Sequence, residues 1–324
     1  MQAVVYHRYG PPDVLELKEI EKPILAADRI LIRVRNASVN PYDWHFLRGT
    51  PFFIRLITGL FHPKSPRLGA DVSGEVEAVG AQVTRFRQGD QVFGTCQGAF
   101  AQFASTSEKN LALKPARVTF EQAASLPIAA ITALQGLRDC ARLQPGQKVL
   151  VNGAAGGVGT FAVQIAKHIG AIVTGVCSTR NVEFVRSIGA DAVVDYTHDD
   201  FAKSGTRYDA IFDLVGNRPL SDLRRALLPH GVLVPCGGGG PGRSSLQLFA
   251  RMLSPVVIAP FISQRITGIF AQINADDLEQ LAALVEAGYI KPVLDRTFTL
   301  AEIPEAIHYV EQCHARGKVV IEVS

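Results

Sequence analysis

Gly153, Gly156, Gly157 and Gly159 are the residues whose spacing points most directly to chemistry. They lie between Lys148-Val-Leu-Val-Asn152, a short apolar run suited to a buried parallel strand, and Thr160 to Gly170. In that second stretch Phe161, Val163, Ile165, Ala166 and Ile169 recur with a helical period that Gly170 closes. A strand that turns straight into a helix leaves bare amides at the helix N-terminus. Those amides and the positive end of the helix dipole suit a diphosphate. Gly153, Ala155, Gly156, Gly157 and Val158 are therefore expected to cradle one. The strict Gly-x-Gly-x-x-Gly form is absent, because Ala154 stands at the first glycine position. The order strand, turn, helix, second strand (Ala171 to Cys177) is nevertheless that of a dinucleotide-binding unit, against the blander reading of a glycine-rich turn with no ligand.

The end of that second strand, Val176-Cys-Ser-Thr-Arg-Asn181, says which dinucleotide. An NAD site usually places Asp or Glu about 20 residues beyond the glycines, to accept from the adenosine ribose hydroxyls. Here no acid follows until Glu183. A carboxylate would repel a 2′-phosphate, whereas Ser178 can donate to it and Arg180 can supply charge and a fork of donors. The expected cofactor is NADPH. Arg180 at a helix start is disfavoured by the dipole unless an anion joins it, the alternative being an ordinary surface arginine. Gly237 and Gly238 allow close backbone approach to the cofactor, or belong to a flexible four-glycine run. Asn217 lies near the nicotinamide ribose, or caps the next helix.

These residues need a sheet to hold them. From the capping box Thr119-Phe-Glu-Gln122 onward, helix and strand alternate. A helical run over Ile131 to Ala141 precedes the glycine turn. Strands follow at Ile172 to Cys177, Ala192 to Val194, Ala210 to Val215 and Val232 to Cys236, with helices at Val182 to Ile188 and Leu220 to Leu228; Thr267 to Ile273 is expected as the last strand. This is a doubly wound α/β unit with a parallel sheet. The first 120 residues differ. Ala3 to Tyr6, Arg29 to Ala37, Val72 to Val79, Gln91 to Gly94 and Ala99 to Ser105 are alternating or β-branched runs cut by glycine and proline, which suggests a small, mainly antiparallel barrel or folded sheet. Pro41 to Gly49 and the insertion Thr50 to Arg67 read as helix-plus-loop excursions. The insertion is apolar and aromatic: either extra core or a dimer contact, or a flap over a hydrophobic substrate. After it come a helix over Ala275 to Ala287 capped by Asn274, the run Val293 to Leu300, a helix opened by Thr299 with Glu302, and the strand Lys318 to Val323. These last pieces are expected to return to the first domain. Residues 1–120 and 274–324 then form one discontinuous domain, and residues 121–273 the dinucleotide-binding one.

Composition narrows the class. A chain of 324 residues, 47% hydrophobic and 19% charged, has an ordinary globular balance with room for two cores. A net charge of +3 without a dense Lys/Arg run gives no basis for nucleic acid as a partner. The five cysteines are far apart and form no Cys-x-x-Cys, so neither a disulfide framework nor a thiolate metal lobe is expected. The N-terminal Met-Gln-Ala-Val-Val-Tyr-His-Arg has the pattern of a strand and not of a secretory leader, so a cytoplasmic location is expected. The longest apolar region, Leu246 to Ile262, is broken by Arg251, Pro255 and Pro260 and is too short to span a bilayer, so no membrane is expected as a partner.

A run of motifs carries a family resemblance: Asn40-Pro-Tyr-Asp43, Gly69-Ala-Asp-Val-Ser-Gly-Glu-Val-Glu-Ala-Val-Gly80, Gly89-Asp-Gln-Val-Phe-Gly94, Ala130-Ile-Thr-Ala133, the glycine turn, Ser187-Ile-Gly-Ala-Asp191 and Gly317-Lys-Val-Val320. In order and spacing the chain resembles, over nearly its whole length, a zinc-independent medium-chain dehydrogenase/reductase of the quinone oxidoreductase type. The resemblance implies a GroES-like catalytic domain plus a Rossmann domain, with the active site in the cleft between them, and, as the family's habit, a homodimer. It places Thr132 near the nicotinamide end and Tyr196 on the extra phosphate. Lys318 either faces the cleft as a cofactor contact or pairs with a surface acid. Zinc-dependent relatives carry a cysteine in the first motif and Gly-His-Glu in the second. Here the first motif has Asn40 and the second reads Gly69-Ala-Asp71, so no metal is expected.

Mechanism follows from that substitution. Quinones and α,β-unsaturated carbonyls accept hydride at a conjugated position and spread charge onto an oxygen, which needs only hydrogen-bond donors and a proton source. The expected reaction is hydride transfer from NADPH to such a small hydrophobic acceptor, with Asn40, Tyr42 and Asp43 as catalytic candidates. Tyr42 or Asn40 would donate to the oxygen and water would deliver the proton. Asp43, ionised at its ordinary pKa near 4, would orient its neighbours. Two alternatives stand: a zinc-free alcohol dehydrogenase or enoyl-thioester reductase, and an NADPH-binding regulatory or structural protein with little turnover.

Overall fold

The computed structural model describes residues 1–237 and 262–323. Gly238 and all of the apolar run from Leu246 except Ile262 lie outside the described residues. The chain divides into two compact units, residues 1–131 with 272–324, and residues 132–271. The boundary expected after residue 120 falls short of the observed one, because the helices that open at Thr119 and Pro127 start within the first unit.

The first unit is built on β1 (Gln2–Val5), β2 (Glu16–Glu19), β3 (Ile30–Val39), β4 (Asp71–Val79), β5 (Gln91–Thr95), β6 (Phe103–Thr106), β7 (Leu111–Leu113), β14 (Leu294–Thr299) and β15 (Lys318–Glu322). Strands β1 and β2 form a separate antiparallel pair. The others run in the order β14, β15, β3, β4, β5, β7, antiparallel except for β14 with β15. Strand β3 is long enough to take two partners on one edge, β6 along its first half and β15 along its second. The expectation of a folded, mainly antiparallel sheet holds; the polar β2 and the short β7 were not legible. Ile30, Ile32, Val34, Val72, Val92, Phe100 and Ile321 pack with Trp44 and Leu47 of α1 (Pro41–Arg48) and with Ile303, Ala306 and Ile307 of α9 (Ile303–Glu311). Helix α1 starts at Asn40 with proline in its first turn and ends at Gly49. The Arg48 guanidinium grips the buried Glu311 carboxylate through both oxygens, which ties α1 to α9.

Polar residues at the buried end of β3 set the rest of this unit. Asn36, Ser38 and Asn40 are almost fully enclosed, and enclosed polar groups need partners. Register supplies them: Ser38 lies opposite Asp71 on β4, and Val39 opposite Val319, the residue after Lys318, on β15.

The second unit is a six-stranded sheet of β8 (Lys148–Asn152), β9 (Ile172–Cys177), β10 (Ala192–Asp195), β11 (Tyr208–Asp213), β12 (Leu227–Pro235) and β13 (Arg265–Ile266). The order is β10, β9, β8, β11, β12, β13 and every pairing is parallel. Its described helices include α4 (Pro127–Gln135), which begins in the first unit, α5 (Gly157–Ile169), α6 (Val182–Ser187) and α7 (Leu220–Ala226). The helix expected over Ile131 to Ala141 thus starts earlier, and from Gly136 it widens into a π-helix. The last strand is not Thr267 to Ile273. Only Val232 and Leu233 of β12 offer partners, to Arg265 and Ile266; the Thr267 amide still donates to the Leu233 carbonyl, and the chain then leaves the sheet. Within the first unit, α2 (Phe53–Thr58), α3 (Phe120–Ala124) and α8 (Ala275–Glu286) complete the described helices. The expected caps at Thr119, Asn274 and Thr299 all form.

Candidate functional site

Register gathers the second unit's candidates at one end of its sheet. Asn152 lies opposite Val176 and Asp213, Asp213 opposite Pro235, and Cys177 opposite Asp195. The residues just beyond these strand ends are the glycine turn, Ser178, Tyr196, Asn217 and Gly237. This is the carboxyl edge of a parallel sheet, where such folds bind dinucleotides.

The turn is tighter than a row of free amides. Gly153 and Ala154 both donate to the Val176 carbonyl, and Gly156 donates to the Gly153 carbonyl. The first amides of α5 remain, Gly157, Val158 and Gly159, which helix geometry leaves without intrahelical acceptors. A Cβ at Gly159 would lie 2.1 Å from the Gly153 carbonyl oxygen, so that glycine serves the contact of helix with turn. A Cβ at Gly156 would meet only that oxygen, at 3.5 Å. The protein therefore leaves an open cradle beside the partly exposed Gly157 and Val158, and the residues fit a diphosphate. Gly153 shapes this turn and is not an amide donor to a ligand.

Around the cradle, Asp213 is fully buried and accepts from Asn152 Nδ2 (2.8 Å) and from the amide of Gly216 (2.9 Å). Asn152 Nδ2 also donates to Asn217 Oδ1 (3.1 Å). Asn217 is thus held over the ends of β8 and β11; the cap of α7 is Pro219, not Asn217. Gly237 comes so close to the Leu214 peptide that a Cβ would lie 2.1 Å from its oxygen. The close approach expected there is made to protein backbone. Thr132 is buried on α4.

Ser178 is partly exposed, Arg180 exposed, and Tyr196 is 50% exposed. The Tyr196 amide donates to the Cys177 carbonyl, which brings the tyrosine beside Ser178. One acid escaped the sequence reading, because it belongs to the next strand: Asp195 ends β10 in register with Cys177. Its carboxylate accepts from the Thr197 hydroxyl (2.7 Å) and amide (3.0 Å). Hydrogen bonding, from Thr179 first, holds it below the usual carboxylate range.

The first unit's candidates form a buried network. Asp71 Oδ2 accepts from Ser38 Oγ (2.7 Å), Asn40 Nδ2 (2.8 Å) and Lys318 Nζ (3.4 Å), while Oδ1 accepts from the Ile128 amide (3.0 Å) at the start of α4. Lys318 Nζ also donates to Asn40 Oδ1 (2.6 Å) and to the Val39 carbonyl (3.3 Å). Burial pulls the lysine pKa below its ordinary value, against the opposing pull of Asp71 and Asp43. Asp43 is fully buried and accepts from the amides of Asn40 (2.8 Å) and Gly69 (3.2 Å). Burial raises its pKa to about 7, so the ordinary value near 4 does not apply.

Two expectations change here. Asn40 is 2% exposed and its amide group is spent on Asp71, Ser38 and Lys318, so it has nothing to give a substrate. Lys318 pairs with a buried acid and not with a surface one. Asp43 is bonded to two backbone amides, those of Asn40 and Gly69. Tyr42 remains: it is 42% exposed and lies against the Phe46 ring, with centroids 3.9 Å apart. Ser38 and Asp71 were missed, because strands that carry other polar and charged residues give such a pair no local signal. Ala70 has no metal donor, Asn40 is already committed, and an ammonium supplies the positive charge between the two motifs, so these residues do not fit a zinc ion. An open groove of about 440 Å³, lined in part by Arg296, Phe298, His308 and Tyr309, holds none of the candidate residues.

An antiparallel folded sheet joined in one chain to a parallel sheet with a glycine turn defines an oxidoreductase class of GroES-like and Rossmann-like units. Residues 26–116 match the alcohol dehydrogenase GroES-like domain, and residues 188–321 match the zinc-binding dehydrogenase family. The chain is 33% identical to the chloroplast envelope quinone oxidoreductase homolog of Arabidopsis thaliana, over 99% of this chain and 98% of that protein. It is also 33% identical to the chloroplastic NADPH-dependent alkenal/one oxidoreductase of Arabidopsis thaliana, over 99% of this chain and 79% of that one. The quinone oxidoreductase structure from Coxiella burnetii is similar with a TM-score of 0.87 at 31% identity, covering 100% of this chain and 99% of that one. The chain belongs to the medium-chain dehydrogenase/reductase superfamily, among its quinone oxidoreductases.

Proposed function

We propose that this protein is an NADPH-dependent reductase that delivers hydride to a quinone or an α,β-unsaturated carbonyl. The observation that carries the reading is the carboxyl edge of the parallel sheet. There an open cradle at Gly156 adjoins the α5 amides, and Ser178 and Arg180 follow the end of β9, which carries no acid of its own, with Tyr196 brought beside Ser178 from the end of β10. The names of the two plant relatives, a quinone oxidoreductase homolog and an NADPH-dependent alkenal/one oxidoreductase, support the same acceptor class.

Bound NADPH would supply the hydride. The amides of Gly157 and Val158 would hold its diphosphate, with Gly153, Ala155 and Gly156 shaping the turn. Ser178, Arg180 and Tyr196 would take the 2′-phosphate, and Asn217 and Thr132 would flank the nicotinamide end. Tyr42 would donate to the acceptor oxygen as charge develops on it. Burial pushes the Tyr42 phenol up to about 12, so it keeps its proton at neutral pH. Water would bring the proton. The buried carboxylate of Asp43 holds the first turn of α1, and thereby Tyr42, in place.

Following NADPH oxidation with a panel of quinones, enals, enoyl thioesters and alcohols tests this reading. Turnover with quinones or enals is expected. Preference for alcohols or enoyl thioesters would replace the acceptor class, and tight NADPH binding without turnover would leave a regulatory nucleotide binder. We further propose a cytoplasmic homodimer. The five cysteines are free, and among the described residues no helix is long and apolar enough to cross a membrane. Light scattering of the purified chain checks the dimer.

A further inference from the structure

Lys318 is 3% exposed, and a buried ammonium is costly unless all of its hydrogens are taken. It has three, and three acceptors surround it: Asn40 Oδ1 (2.6 Å), the Val39 carbonyl (3.3 Å) and Asp71 Oδ2 (3.4 Å). Nothing remains for a phosphate or a substrate. All three acceptors lie at the end of β3 and the start of β4, next to the residues that open α1. Asn40, gripped by Lys318 through its oxygen and by Asp71 through its nitrogen, is also the residue whose amide donates to Asp43 in the first turn of α1. Tyr42 sits in that turn. The other oxygen of Asp71 accepts from Ile128 in the first turn of α4, one turn ahead of Thr132.

We propose that Lys318 is a positioning residue for the reaction. Its ammonium locks Asn40 and Asp71 together, and this lock fixes the first turns of α1 and α4, hence the placement of Tyr42. The inference rests on the reading of Tyr42 as donor to the acceptor oxygen. It differs from a cofactor role, in which Lys318 would contact the nucleotide, and from a merely stabilising one, in which only folding would suffer.

Three variants separate these: Lys318→Met, Asp71→Asn, and the two combined. Lys318→Met keeps the apolar stem but strands the Asp71 carboxylate, so its thermal midpoint drops. Its kcat is expected to fall about 10- to 100-fold, as for a misplaced reacting group, with the acceptor KM and the NADPH dissociation constant within about twofold. The double variant removes both charges and should regain most of the midpoint without regaining kcat, because Asn40 still lacks its ammonium partner. The proposal is overturned if kcat recovers along with the midpoint, if Lys318→Met leaves kcat unchanged, or if NADPH binding weakens about tenfold instead. Should the single variant not fold, the double variant is compared with Asp71→Asn alone by the same criteria. If the unsubstituted chain turns over no acceptor, it is the Tyr42 reading that fails. The lock is then judged by amide hydrogen exchange over residues 41–47: faster exchange in the double variant than in Asp71→Asn sustains it, and equal exchange ends it.

Discussion

Asn40 and Tyr42 stand two residues apart, and burial separates their work. The Asn40 amide is enclosed and fully bonded, while the Tyr42 ring is 42% exposed. A donor aimed at a developing oxyanion commonly carries on the order of 10²-fold in kcat. Tyr42→Phe is therefore expected to lower kcat by about that factor and to leave NADPH binding unchanged, as steady-state kinetics and a fluorescence titration would read. An unaltered kcat would remove Tyr42 from the chemistry. Asp43 makes a prediction of a different kind. Its carboxyl titrates near 4 in an unfolded chain and at about 7 in the folded one, burial being the main cause. Between those values the folded chain keeps a proton that the unfolded chain has released, so this contribution to stability is lost as pH rises. Asp43→Asn is expected to unfold at a lower temperature throughout, since one of its polar atoms becomes a donor facing the amide of Asn40 or Gly69. Its deficit against the unsubstituted chain should shrink as pH is raised from about 5 to about 7.5. A deficit that grows over that range would contradict the raised pKa.

At the scale of elements, two glycines of one turn are expected to answer the same substitution differently. Gly159→Ala would drive a Cβ against the Gly153 carbonyl, 2.1 Å away, so the free protein should lose thermal stability markedly. Gly156→Ala has room, costs about 1 kcal/mol as a poorer N-cap, and puts its methyl group where the diphosphate would lie. It should therefore keep most of the midpoint but weaken NADPH by about tenfold or more. If both variants bind NADPH normally, the turn does not hold the nucleotide. This turn was legible in the sequence because glycines, strand and helix are contiguous, and the caps at Thr119, Asn274 and Thr299 were legible for the same reason. The Lys318 network was not. Lys318 and Asp71 are distant in sequence and meet only through the register of β15, β3 and β4. Asp195 stayed hidden likewise, since it reaches the end of β9 from the neighbouring strand. The segment Thr267 to Ile273 misled for another reason. Its residues suit a strand, but whether a strand forms depends on partners that β12 offers only at Val232 and Leu233.

For the whole molecule the chain order matters. Residues 272–323 return to the first unit and close its sheet with β14 and β15, so the network below Tyr42 needs the last strand of the chain. The second unit is a single uninterrupted stretch and carries the whole of the expected phosphate pocket. Ligand binding should therefore register as stability of the intact chain without any turnover. A ligand at 100 times its dissociation constant adds about 2.7 kcal/mol to the state that binds it, which for a chain of this size corresponds to a rise of roughly 5 °C in midpoint. NADPH at that level should give such a rise. NADH at the same concentration should give clearly less, because it lacks the phosphate that Ser178, Arg180 and Tyr196 would hold. Arg180 is exposed and salt screens its charge, so the difference should narrow as salt is added. Replacing Ser178 with Asp and Arg180 with Ala should abolish the preference while leaving the response to NADH in place, since the diphosphate cradle is untouched. Asp195→Asn should act in the opposite direction and widen the preference slightly, by removing the one carboxylate that stands in register with this strand end. Equal shifts from the two nucleotides in the unsubstituted chain would show that the hydroxyls and guanidinium at the end of β9 do not select the cofactor, whatever the chain then reduces.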